Sequence, residues 1–187
     1  MFTPTARIPA LLALLLALGL AAACTQTEQA NKLVDEMNAL TQGGGELAQK
    51  AIARSKEMQE KDFAEEREEV RSLGREVSSL FGRARDQYRQ AADKAEEASR
   101  LKVDAWFSEY LSLKAQQLRK VAEVYDLSGR EGEVAAGDGT LEEINQQIAD
   151  LEARVASLNK ENEAITARVR KIEEEHKGDI RKEEGAK

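Results

Sequence analysis

Nine apolar residues, Leu141, Ile144, Ile148, Leu151, Val155, Leu158, Ile165, Val169 and Ile172, follow one another in steps of three and four once Asn162 takes its place in the series. Steps of that kind set every member on one face of an α-helix and define a heptad seam. A helix with such a stripe gains most of its stability by burying it, so this segment requires another helix against it. Thr140 with Glu143 three residues on predicts a capping box at its start, and Gly178 predicts a stop near His176 and Lys177. The expectation is a heptad helix over 140–177 and a charged tail over 178–187.

The rest of the chain has the composition of long helices. Aromatic residues make up 4% of the 187, prolines number two, and Ala, Glu, Lys, Arg and Leu abound. The predicted class is all-α, an elongated helical hairpin or coiled coil. Charge is acidic, 35 acidic residues against 28 basic, which argues against nucleic acid as a partner because phosphate contacts need clustered cations. No phosphate-binding glycine loop or Ser-His-Asp set can be assembled. His176, the one histidine, sits at a helix end with no second His or Cys around it, so no metal, cofactor or catalytic residue is expected and an enzyme is not indicated.

Taken in order, Thr25 and Glu28 suggest a capping box after a short tether over 24–30, and Ala30, Leu33, Met37 and Leu40 form a stripe on a short helix over 26–42. Gly43, Gly44 and Gly45 read as its end. Residues 46–127 contain no proline and read as one helix reaching on the order of 120 Å. Its face carries Leu47, Ala51, Ile52 and Met58, then a charge-rich stretch from Glu57 to Arg71 that reads as solvated helix, then Val70, Leu73, Val77, Leu80 and Ala84. The spacing shifts at Tyr88, Ala91, Ala95 and Ala98, and Gly74, Ser78 and Gly82 lie four apart, marking either a close helix contact or a weak place. Further on, Trp106, Tyr110, Leu113, Val121 and Val124 occupy one face, and Phe107, Leu111, Leu118, Ala122 and Tyr125 the adjoining one. Two stripes are wider than one helix pair needs. They read either as core against the last helix plus another chain, or as a docking patch for a partner protein centred on Trp106, Phe107, Tyr110 and Leu111. Gly129, Gly132, Gly137 and Gly139 place the main turn at 128–139.

The first 23 residues have the form of a targeting segment: Arg7, an apolar run from Ile8 to Leu20 too short for a permanent span, then Ala21, Ala22 and Ala23. Cys24, the sole cysteine, follows at once, so no intrachain disulfide exists. Ala21 to Ala23 satisfy ordinary secretory cleavage, and together with Cys24 they resemble the lipobox of bacterial lipoproteins, departing from it in Ala21 where that family favours Leu. The resemblance implies that Cys24 becomes the first mature residue and carries a diacylglyceryl thioether and an N-acyl chain, a membrane anchor stronger than the two lipid signals stable attachment needs. With Thr25 rather than Asp next, it further implies the outer membrane of a diderm host, facing the periplasm. Loss of residues 1–23 removes Arg7 alone among charged residues and makes the chain one charge more acidic.

Two uses of the seam stand open. Asn162 at an a position favours a parallel, in-register homodimer, in which Arg168 reaches Glu173 of the second chain. The glycine-rich turn favours an antiparallel hairpin within one chain, with Asn162 opposite Ala105 and Trp106. Two function classes follow. One is a structural spacer or scaffold; its acylated cysteine, heptad helix with a seam Asn, and terminal Lys187 are similar in layout to murein lipoprotein, which implies possible attachment of Lys187 to peptidoglycan. The other is a membrane-tethered adaptor that binds a partner envelope protein through the hairpin.

Overall fold

The computed structural model describes the backbone of residues 8–179 and the side chains of residues 26–179. Four helices follow in order, α1 (Ile8–Gln59), α2 (Arg67–Ser99), α3 (Ala105–Ala136) and α4 (Leu141–Glu175), and the described residues contain no strand. The all-α class and the antiparallel hairpin are as the sequence predicts. Each helix packs on its neighbour in the chain: α1 on α2, α2 on α3, α3 on α4.

Three apolar clusters hold α1, α2 and α3 together. Leu33 of α1 meets Ala98 and Leu111; Met37 meets Ala91, Ala92, Ala95, Ala115 and Leu118; Leu47, Ala48 and Ala51 meet Val77, Phe81 and Ala84. On α2 the stripe keeps step every seven residues through Val70, Val77, Ala84, Ala91 and Ala98, all buried. The alanines let the neighbouring helices approach closely. Tyr125 fills the middle of this unit, stacked on Phe81 at 5.7 Å and edge-on to Tyr88 at 5.2 Å.

The predicted helix over 46–127 is broken twice, so the body is about 50 Å long, the rise of a helix of some 33 residues, rather than 120 Å. The first break lies in the charge-rich stretch. Asp62 Oδ1 accepts the backbone N–H groups of Ala64 and Glu65 at 2.8 and 3.1 Å, while Glu66 Oε2 accepts that of Asp62 at 2.8 Å. Those carboxylates satisfy donors that a continuing helix would have bonded itself, and so build a turn. The second break, at 100–104, is held from outside, because Gln26 of α1 accepts the Lys102 N–H at 2.7 Å.

Glycines are misleading in the opposite direction. Gly43, Gly44 and Gly45 do not end a short helix over 26–42, nor do Gly129 and Gly132 belong to a turn over 128–139; all five lie inside helices, none with positive φ. A Cβ on Gly44 would sit 2.7 Å from the Tyr88 ring, and one on Gly132 would sit 2.5 Å from the Gly74 carbonyl. Absence of a side chain here serves packing, which outweighs the helix penalty of about 1 kcal/mol per glycine. Only Gly137 and Gly139 remain in the turn before α4. The capping box of Thr140 and Glu143 is formed, and α4 ends at Glu175 with His176 as its cap.

Candidate functional site

The seam of α4 is spent on α3 of the same chain. Reading down the pair, Trp106 stacks on His176 at 4.1 Å, Tyr110 donates to Glu173 at 3.2 Å, Gln117 donates to Thr166 at 2.9 Å, and Lys120 pairs with Glu161 at 3.0 Å. Arg168 and Glu173, the pair that a parallel dimer would join across chains, instead bind Glu109 and Lys114 of α3. Because α3 continues to Ala136, the pairing is shifted, and Asn162 lies near Lys120 rather than opposite Ala105 and Trp106.

With a single helix against it, the seam is half covered. Ile144, Leu151 and Val169 are buried; Ile148, Val155, Leu158, Asn162, Ile165 and Ile172 are half-buried; Leu141 is 50% exposed. The Asn162 Oδ1 is enclosed without a hydrogen-bond partner. That leaves a polar atom desolvated and uncompensated inside the hairpin.

The aromatic residues predicted as a docking patch are brought together, but inward. Leu111 is fully buried, and Phe107 and Tyr110 pack beside it against Leu33 of α1. Burial, and after it the Glu173 carboxylate, push the Tyr110 hydroxyl well above its ordinary pKa. The two wide stripes of α3 thus serve two neighbours of the same chain, α1 with α2 on one side and α4 on the other. Trp106 remains half-buried beneath the His176 ring.

At the far end, the turn before α4 is clamped by the start of α2. Arg67 donates through Nη2 to the carbonyls of Gly137 and Gly139, the latter at 3.2 Å, and its guanidinium lies 3.9 Å over the Phe63 ring. Arg71 binds Asp138 and Glu68. Gln26 and His176 lie at the opposite end of the body: Gln26 at the α2–α3 turn, and His176 on Trp106 beside that same turn. The backbone of Cys24 belongs to α1, two residues before Gln26; its side chain, the first seven residues and Lys187 lie outside the described residues.

A feature that the sequence pattern did not single out is an open groove of ≈ 400 Å³ along α3, walled by α2 and α4. Leu127 and Leu158 line its floor, and one arginine from each helix, Arg89, Arg130 and Arg154, lines its walls. A second hollow continues it toward Gly139 and shares Arg130 and Arg154. The residues are far apart in sequence, so only the fold reveals the trio.

Among the described residues no group of three or more His, Cys, Asp or Glu side chains is placed to hold a metal ion, and no helix is long and apolar enough to cross a membrane. No family model, curated protein or solved structure matches the chain.

Proposed function

We propose that this chain is a non-enzymatic cell-envelope lipoprotein, anchored through acylated Cys24 to the outer membrane and facing the periplasm, whose helical body acts as a scaffold or spacer. The observation that carries the reading is the position of Cys24. It is the only cysteine, it directly follows an apolar run and three alanines, and it precedes by two residues the Gln26 that joins α1 to the α2–α3 turn at the foot of the body. Acyl chains there would set that foot at the bilayer, leaving the clamped end with Arg67 and Asp138 about 50 Å away. The end of α4 shares the foot, through His176 on Trp106, so the spacing would be supplied by the folded body.

Metabolic labelling with an alkyne fatty acid, followed by mass spectrometry of the amino-terminal peptide, tests this. The expected result is a peptide starting at Cys24 with three acyl chains, membrane fractionation of the wild type, and loss of both in Cys24→Ser. An unmodified, cleaved chain in the aqueous fraction overturns it.

A further inference from the structure

Two kinds of seam run along the body. α2 turns Val70, Val77, Ala84, Ala91 and Ala98 to its neighbours, all apolar and all buried. Toward α4, α3 turns a series that steps by four and three: Trp106, Tyr110, Leu113, Gln117, Lys120, Val124, Leu127 and Glu131. Polar groups interrupt it. Tyr110, Gln117 and Lys120 reach Glu173, Thr166 and Glu161 of α4, while Glu131 has Glu152 beside it, a like charge that joins burial in disfavouring its ionised form. On the α4 side the enclosed Asn162 Oδ1 has no partner. The three apolar clusters that hold α1, α2 and α3 together contain, among the described residues, none from α4.

The two ends of α4 are held unequally. Its start follows a turn that α2 grips through Arg67 on Gly137 and Gly139 and through Arg71 on Asp138, and the Thr140 capping box closes it. Its far end rests on the ring contact of His176 with Trp106 at 4.1 Å and on ion pairs of Glu173 with Lys114 at 3.4 Å and Arg168 with Glu109 at 3.0 Å. The last of these is 64% and 56% exposed, and pairs so exposed add little net stability. The helix thus has a fixed pivot and a lightly held tip.

We propose that α4 is a lid on α3, which lifts as one unit about the clamped turn while α1, α2 and α3 stay folded. Lifting bares Trp106, Leu113, Val124 and Leu127, so that α3 presents an apolar strip in the open state and hides it in the closed one. Leu111, Ala115, Leu118 and Ala122 remain buried, the first three in the clusters with α1 and α2, which keeps the rest of the body intact. A lifted α4 has no partner for its stripe and unwinds, so its amides are released to solvent each time it lifts. The lid is independent of the anchor: acylation of Cys24 and lifting of α4 are read by separate measurements.

Native-state amide hydrogen exchange of the full chain in detergent, resolved by mass spectrometry of its peptides, tests this. Peptides from the middle of α4 are expected to exchange together, at least about tenfold faster than peptides from the middle of α2 and α3. Asn162→Leu should slow the α4 group about fivefold and leave α2 unchanged. In a Cys24→Ser background, Gln117→Cys with Thr166→Cys joined by a short bis-maleimide should bring α4 down to the rate of α3. Amides of α4 that exchange no faster than those of α2 overturn the proposal. So does Asn162→Leu slowing every helix alike, which would mean that α4 opens only with the whole fold, or a bridge that leaves α4 exchange unchanged.

Discussion

Gly74 and Gly132 bring the backbones of α2 and α3 into contact: a Cβ built on either would lie 2.5 Å from the carbonyl oxygen of the other. The atom in the way is main chain, which cannot swing aside. Gly74→Ala or Gly132→Ala is expected to destabilise the protein by about 1–3 kcal/mol through overpacking, despite alanine being the better helix former. Gly82 has nothing within 4 Å of its would-be Cβ, so Gly82→Ala is expected to stabilise by about 0.5–1 kcal/mol. Urea unfolding of the three variants checks both signs together.

Arg67 joins the α1–α2 turn, through Phe63, to the α3–α4 turn, through the carbonyls of Gly137 and Gly139. Arg67→Ala is expected to cost about 1–3 kcal/mol by leaving those acceptors and the ring uncovered. Arg67→Lys should recover only part of it, since an ammonium cannot reproduce the planar fork. Amide exchange should rise first at residues 137–140.

Glu131 gives a pH dependence. Its carboxyl is held above the usual glutamate value, first by burial and then by Glu152. The folded state therefore binds the proton more tightly than the unfolded chain, and Glu131 supports folding in acid and opposes it as pH rises through its raised value. Glu131→Gln should raise Tm at neutral pH, with the advantage shrinking toward the acid end of the glutamate range. Thermal unfolding at a series of pH values checks it; an advantage that grows in acid would reverse the assignment.

How far the sequence could be read depended on which interaction set each boundary. The start of α4 was legible because Thr140 and Glu143 bond to each other locally, and its seam because one helix period governs it. The glycines of α1 and α3 were misleading because their role depends on Tyr88 and Gly74, distant residues that no local window contains. The break at Asp62 left a local trace, a carboxylate followed by Glu65 and Glu66, masked by the surrounding charge. The break at 100–104 has neither glycine nor proline and depends on Gln26, while the arginine trio needs three helices assembled before it exists.

Asn162 carries an enclosed Oδ1 with no donor. Asn162→Leu is expected to stabilise the hairpin by about 1 kcal/mol, by removing an unsatisfied polar atom from a half-buried seam. Its cost in a parallel dimer would be different in kind, namely a change in the number of chains, so light scattering alongside thermal unfolding separates the two uses of the seam.

The central structural claim, that α4 folds back on α3 of its own chain, is tested most directly by crosslinking. Gln117 and Thr166 face each other with a 2.9 Å hydrogen bond. In a Cys24→Ser background, Gln117→Cys with Thr166→Cys treated with a short bis-maleimide should give a monomer closed by an internal bridge at every protein concentration. Covalent dimers in place of the closed monomer, increasing with concentration, would contradict the hairpin.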